Sequence, residues 1–506
     1  MPSQRLPFGA WLPDERSLAN PGSITAKNVV PNGDLFLPFY GLQTTSNTAL
    51  DAYARGAISV SDSAGNEYTY AGDATKLYYL SGTGWTNVSR NANATLDLNF
   101  TSNTYQSGTA YDGYGSGSQT VWDFAKYGDK VIATNGIDEP QIITMGGTNF
   151  ENLGGSPPVA SSVAVVGDFV VLANTDDSET TVRWSGFGDE TAWTPSPTTQ
   201  SDVQQIAGNY GSIVRIIGGD RGSVFFERGI VRMEREGPPT TFGFYPAERK
   251  RGAISFGSVC DAGNVMFYIS SDDLYIFDGE QSQNLGSGKV ARWFFQDADP
   301  AYYSRISSAA DLKRSLILWS YVGSGAQVPQ PNKILVYHWP SGTFSVAEIE
   351  TNALHAYVAS GYTLDGLDAI SGSLDALTAS LDDAVWASGR INIGGFNSSN
   401  NSGVFEGTPL TAVLESKEFD AQPGRVAYVD QTRPIIEGPT STITVEHGYR
   451  ANQRDEVSYD ASVSMNNDGA FDIRRSARFH RVRVTIAGGF EKAFGVDLRA
   501  KINGQR

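Results

Sequence analysis

One cysteine, Cys260, occurs in 506 residues. A lone thiol excludes an intrachain disulfide and a cysteine-based metal site. Set in Ser258-Val-Cys-Asp261, it reads as a small buried apolar residue at a strand end. Histidine is almost as scarce: His338, His355, His447 and His480 show no H-E-x-x-H or other metal-ligand spacing. Positive charge is short, with 38 Lys+Arg against 55 Asp+Glu and a formal net charge of −17. Residues 410–506 are near neutral, with 14 basic and 13 acidic residues, so residues 1–409 carry the whole deficit. That balance argues against ordinary nucleic-acid binding, which needs Lys and Arg to displace counterions. It leaves open a conduit through which DNA slides without sticking, and solubility alone explains it equally well. No apolar run approaches the ~18 residues of a membrane span. The start, Met1-Pro-Ser-Gln-Arg-Leu-Pro7, lacks the charged and apolar regions of a secretory signal. No segment sustains helical periodicity over four turns, so long helices are not expected.

Glycine and aromatics are abundant: 55 Gly, 25 Phe, 23 Tyr and 9 Trp, the composition of many strands joined by tight turns. A short β unit recurs. Gly128-Asp-Lys-Val-Ile-Ala-Thr-Asn135 is echoed by Gly167-Asp-Phe-Val-Val-Leu-Ala-Asn174. Looser copies are Gly222-Ser-Val-Phe-Phe-Glu227, Gly263-Asn-Val-Met-Phe-Tyr-Ile-Ser270 and Arg314-Ser-Leu-Ile-Leu-Trp-Ser320. Their starts lie roughly 40 to 55 residues apart, the period of a propeller blade. Hairpins recur as well: Leu77–Leu80 into Trp85–Val88, Leu274–Phe277 toward Gln283–Leu285, and Ile334–Trp339 into Thr343–Val346, each around a Gly-bearing turn. Unit plus hairpin gives the three or four strands of a blade. The expected fold is all-β, with a β-propeller of about six blades over residues 51–409.

Residues 1–50 are rich in proline and turn formers and read as an extended arm. Residues 410–506 form a second β block, in which Thr440–Glu446 and His480–Ile486 alternate cleanly. Val482, Val484 and Ile486 share one face; Arg481, Arg483 and Thr485 share the other. The block reads as a small sandwich with a basic stripe, Arg474, Arg475 and Arg478 lying just upstream. The stripe fits either an acidic neighbouring subunit or a solvated strand face. Leu-Asp pairs at Leu364, Leu367, Leu374 and Leu381 suit either a leucine stripe weakened by glycines or a series of Asp-closed turns. A Ca²⁺ loop is disfavoured, because the Asp-x-Asp-x-Asp-Gly spacing is missing.

The residues offer no strong catalytic set. There is no G-x-S-x-G elbow. Gly286-Ser-Gly-Lys-Val290 resembles a P-loop fragment, but Gln283 stands where glycine is needed and Val290 where Ser or Thr holds Mg²⁺. The acidic pairs Asp176-Asp177, Asp272-Asp273 and Asp382-Asp383 read as turns, although two carboxylates across a cleft are what a glycosidase uses. Arg249-Lys250-Arg251 is the one dense basic run in the acidic part. It reads as a solvated loop, with contact to DNA or an acidic partner as the alternative. Neither enzyme activity nor a cofactor is expected.

Taken in order, Trp11-Leu-Pro-Asp14, Ala26-Lys-Asn-Val-Val-Pro31, Ile132-Ala-Thr-Asn-Gly136, Arg183-Trp-Ser185, Val224-Phe-Phe-Glu227 and Ile230-Val-Arg-Met-Glu234 resemble a tail protein of short-tailed bacteriophages. Gly288-Lys-Val290, the Leu-Asp series at 364–386 and Phe479-His-Arg481 extend the resemblance over nearly the whole chain. The family is the tail nozzle or hub, also called the packaged-DNA stabilisation protein or tail accessory factor. The resemblance implies a structural virion protein, made in the host cytoplasm, that forms a homohexameric ring on the portal-adaptor complex. It would continue the DNA channel, retain the packaged genome, pass it on infection and carry tail fibres or a needle. Double-stranded DNA would pass without specific binding, and no membrane insertion is implied. The arm and residues 410–506 would together build the attachment platform, with Trp11 and Asp14 as adaptor or platform contacts. Arg478, Arg481 and Arg483 would be the inter-subunit salt-bridge candidates. Six copies would carry roughly −100 charges, so an acidic bore is expected to repel DNA. The rival readings are a glycan-binding propeller or glycosidase acting on a host surface, and a cellular scaffold propeller.

Overall fold

A computed structural model describes residues 3–82, 84–90, 121–327, 329–359, 390–420, 425–438 and 442–503. Among them, seven four-stranded antiparallel blades follow one another, one more than the repeat count implied. Their innermost strands are Gly56–Ser61, Asp123–Tyr127, Ala160–Val166, Ile213–Ile217, Val259–Asp261, Ser307–Asp311 and Asn352–Ala359. The five recurring sequence units are the second strands of blades 2 to 6. Their leading residues mark the turn from the inner strand. Tyr127 pairs with Lys130 and Val166 with Phe169, so Gly128-Asp129 and Gly167-Asp168 are two-residue hairpin loops. Both glycines have positive φ, 57° and 58°, which a side chain would strain.

The ring closes through polar stitches between neighbouring inner strands. Trp122 donates its backbone N–H to Arg55 O at 3.0 Å. Asp123 accepts from Ser162 Oγ at 2.7 Å and Val163 N at 2.9 Å. Ser162 Oγ accepts from Ile216 N, Arg215 donates to Val259 O, Ser308 donates to the same carbonyl, and Ser307 Oγ accepts from Leu354 N. Blade 7 is completed from the other end of the chain: Gln43–Thr44 forms its outer strand, pairing with Val404 and Gly403. Trp85 of blade 1 then packs against Phe396 of blade 7, the tilted rings 5.6 Å apart. Apolar wedges fill the gaps between blades. One joins Phe169, Val171 and Trp184 of blade 3 to Val224, Phe226 and Met233 of blade 4. At Gly72 a Cβ would lie 2.3 Å from Trp122 Cδ1, so only glycine lets the indole cross the joint between blades 1 and 2.

Arm and C-terminal region fold together as a two-sheet sandwich. One sheet runs Val29–Asn32, Leu35–Pro38, Lys492–Asn503, Val426–Glu437, Phe471–Ala477, with Ser3–Pro7 also on Lys492–Asn503. The other runs Thr25–Lys27, Ala412–Glu415, Phe479–Ala487, Thr442–Arg450, Ser458–Tyr459. This second sheet is continuous with blade 6, because Lys27 pairs in parallel with Val346 of Thr343–Glu348. A single apolar cluster spans both sandwich sheets and the adjacent face of blade 6, from Leu498 and Val484 to Trp319 and Phe344. The chain changes sheets at Asn28, whose φ is +59°. Its side chain donates to Thr411 O at 2.8 Å and accepts from Glu348 N at 2.7 Å, pinning the crossing on both sides. One short helix, Ala291–Asp297, lies between blades 5 and 6.

Candidate functional site

Helix Ala291–Asp297 receives its cap from the arm. Asp14 Oδ2 accepts from Arg292 N and Oδ1 from Trp293 N, both at 2.8 Å, and Asp14 N donates to Lys289 O. Trp11 meets Trp293 edge-on at 4.7 Å and is 3% exposed. Both residues join arm to propeller within one chain, Trp11 by packing and Asp14 by capping the helix. The Gly286–Val290 segment leads into the same helix. Its Lys289 donates to Gly342 O at 3.0 Å, and the Asp14 carboxylate takes the N–H groups of the helix's first turn.

The expected basic stripe is internally neutralised. Arg481, 9% exposed, reaches Glu415 at 3.4 Å and Glu418 at 3.3 Å. Arg483 reaches Glu415 at 3.3 Å and Glu446 at 3.4 Å, with its guanidinium 3.9 Å from the Tyr459 ring centre. Arg450 grips Glu418 with two bonds of 2.7 and 2.5 Å. Tyr459 also donates to Glu415. Three arginines thus face three glutamates of the same chain, so Arg481 and Arg483 already have partners within it. The reason is register: Glu415 and Glu446 lie directly opposite Arg483 on the two flanking strands. Of the three candidates, Arg478 alone remains on an open rim. It lies half-buried beside Phe479 in a cleft shared with Gln4, Leu18 and Arg454.

Behind the network, His447 and His480 are fully buried and 2.8 Å apart, Nε2 to Nδ1. His480 Nε2 donates to Ala477 O at 3.0 Å and lies 3.2 Å from Ala427 O, so its Nδ1 accepts from His447. His447 Nδ1 is left buried without a hydrogen-bond partner. Burial, then repulsion from His480 and Arg475, holds the His447 pKa down to about 3. Burial also lowers His480, against the pull of the two carbonyls and Asp420. The pair is neutral in the folded protein.

The basic run follows strand Phe242–Glu248 as an exposed turn. Arg251 pairs with Glu248 at 3.6 Å and Asp272 at 3.9 Å, whereas Arg249 and Lys250 are fixed only through backbone N–H bonds to the Glu248 carboxylate. Asp272 and Asp273 close the turn before Leu274, accepting from Tyr275 Oη and Leu274 N. Cys260 is buried, and burial pushes its thiol up to about 12. Asp382-Asp383 and the Leu-Asp series at 364–386 lie outside the described residues. Among the described residues, no three His, Cys, Asp or Glu gather as a metal site.

A cavity of about 500 Å³ lies on the propeller axis. Inner strands and the segments leading into them line it, with Tyr53, Arg55, Asp123, Arg215, Arg305 and His355 among its polar groups. Arg215 is committed to the Val259 carbonyl, the Phe256 ring face at 4.3 Å and Asp123 at 4.0 Å. Sequence reasoning missed this group because its members come from blades far apart in the chain, and no local pattern marks them.

No family model matches the chain, and no curated protein matches it. Solved structures give distant likenesses. The extracellular domain of a one-component system from B. thetaiotaomicron has a TM-score of 0.40 and 10% identity over 86% of this chain. This chain spans only 48% of that one. BamB from Moraxella catarrhalis has a TM-score of 0.37 and 11% identity, covering 80% of this chain and 96% of its own. YCF48 bound to D1 peptide has a TM-score of 0.33 and 10% identity, covering 60% and 89%. Scores this low carry no functional argument, and the propeller rests on the sheet topology itself.

Proposed function

We propose that this chain is a structural wall subunit of a short bacteriophage tail, the nozzle or hub. In this reading it attaches to the portal-adaptor complex as a six-fold ring, continues the DNA channel, retains the packaged genome and passes it on infection. The observation that carries the reading is where the ordered motifs fall. Trp11–Asp14 and Gly288–Val290 meet at the capped helix, Ala26–Pro31 makes the sheet crossing at Asn28, and Phe479–Arg481 enters the buried network of the sandwich. The first two places tie the propeller to the platform, as a wall part requires, and the third lies within the sandwich. Blade 3 adds an acidic outer surface, with Asp176, Asp177, Glu179, Asp189 and Asp202 all exposed, in keeping with a bore that does not hold DNA.

An amber mutation in the gene tests the reading in a phage that carries it. The expected particles fill their heads and then lose DNA, so that the genome becomes nuclease-sensitive. Infectious particles with normal DNA content would overturn it.

A further inference from the structure

Lys417, Arg454 and Arg478 line one cleft of the sandwich, of about 800 Å³. Among the described residues none of the three has an ion pair, although the chain as a whole is short of positive charge. Lys417 and Arg478 are half-buried and Arg454 is exposed. The glutamate beside them, Glu418, is taken by Arg450 and Arg481. Asp420 is the other lining acid, and its Oδ1 is buried without a hydrogen-bond partner. Arg478 Nε is buried and unpartnered as well, with its guanidinium over the Phe479 ring at 5.0 Å. A buried donor and a buried acceptor are thus both left over in one cleft, where each costs free energy.

The walls are fixed by bonds that do not use these groups. Phe419 exchanges two backbone hydrogen bonds with His480, of 2.9 and 3.1 Å, which sets residues 417–420 beside Arg478. The turn after Thr442–Arg450 is closed by Asp455, whose Oδ2 accepts from Asn452 N at 2.9 Å, and by Arg450, which donates to Gln453 O at 2.5 Å. That turn holds Arg454 at the rim. Phe419 and Phe479 give the cleft buried apolar lining, and from the arm Leu18, 43% exposed, adds an apolar edge. A cleft held in this way needs little rearrangement to bind.

We infer that this cleft docks an extended acidic peptide segment of another protein. Three cations without partners, against one carboxylate, call for a negative occupant. A bare anion would face Asp420 and leave its Oδ1 without a donor. A peptide supplies both missing partners, a carbonyl for Arg478 Nε and an N–H for Asp420 Oδ1, while its acidic side chains meet Lys417 and Arg454. An apolar side chain between the acids would pack on Leu18. The volume takes a few residues of extended chain rather than a folded domain. The inference goes beyond the ring reading, because one chain builds the cleft whole.

Titration calorimetry of the full chain with an end-capped Glu-Glu-Leu-Glu-Glu peptide tests this. Saturable binding that weakens with added salt is expected, and a Gln-Gln-Leu-Gln-Gln peptide should bind at least about tenfold more weakly. Arg478→Ala should weaken binding of the acidic peptide by about tenfold to a hundredfold, the worth of a charge-assisted hydrogen bond. Arg249→Ala, in the exposed basic turn of the propeller, should leave it unchanged. If Arg478→Ala does not fold, Arg454→Ala serves, since that side chain is exposed. No binding at millimolar peptide, or undiminished binding by the folded variant, would overturn the site. So would a duplex oligonucleotide that binds more tightly than the peptide at equal salt. An Arg478 variant that loses self-association but keeps the peptide would overturn it too, by making a second copy of the chain the occupant.

Discussion

Arg481 shows how a strand face can mislead. Its alternation with Val482 and Val484 marks it as outward-facing, yet a neighbouring strand and its glutamates cover it. A buried charge network stabilises only while its members balance. Arg481→Ala should lower stability by about 1.5–3 kcal/mol, because Glu415 and Glu418 each lose one charged partner while keeping Arg483 and Arg450. Urea melts at several protein concentrations check this. An intrachain role predicts a loss that does not depend on concentration, and a loss that appears only when subunits associate would restore the inter-subunit role. The histidine pair gives a pH signature. The folded pKa of His447 lies far below its ordinary value, so the unfolded chain binds more protons between pH about 3 and about 6.5. Stability is therefore full above pH about 6.5 and falls as pH drops toward about 3, by a few kcal/mol. Melts at stepped pH should show that slope, and His447→Gln should flatten it. An equal slope in both proteins would contradict the assignment.

At the scale of elements, Asn28 is the position where sequence and fold meet most closely. The chain leaves one sandwich sheet and enters the other there, with a left-handed backbone and two side-chain bonds. Asn28→Ala should cost about 2–3 kcal/mol, from the lost bonds and the positive φ together. Asn28→Gly should cost less, since glycine accepts the backbone. Equal stability of all three proteins in denaturant melts would remove the crossing from the account. The blades were legible to the degree that their second strands are apolar runs behind a glycine turn, as at Val131–Ala133 and Val170–Leu172. Blade 1 shows its outer hairpin at Leu77–Val88, but its second strand, Glu67–Gly72, alternates Tyr with polar residues and breaks the repeat. Blade 7 escaped because its outer strand is two exposed residues, Gln43–Thr44, supplied from the arm. Closure of a ring is a long-range pairing, and no local period encodes it. The same holds for Asp14: its position was marked in the sequence, but the helix it caps lies 278 residues away in the chain.

At the scale of the molecule, the described residues make a seven-bladed ring sharing one sheet and one apolar core with a sandwich drawn from both terminal regions. That fusion makes blade 6 the anchor and leaves the opposite blades to project. The central claim is that such bodies assemble side by side around a six-fold axis, with the acidic faces toward the bore. Electron microscopy of the purified full chain, alone and mixed with the portal-adaptor complex that the proposed function calls for, tests it most directly. The account predicts six-fold rings in at least the mixture, with the sandwich at the adaptor and blade 3 toward the lumen. Monomers in both samples, or a ring whose bore is lined by basic residues, would contradict it.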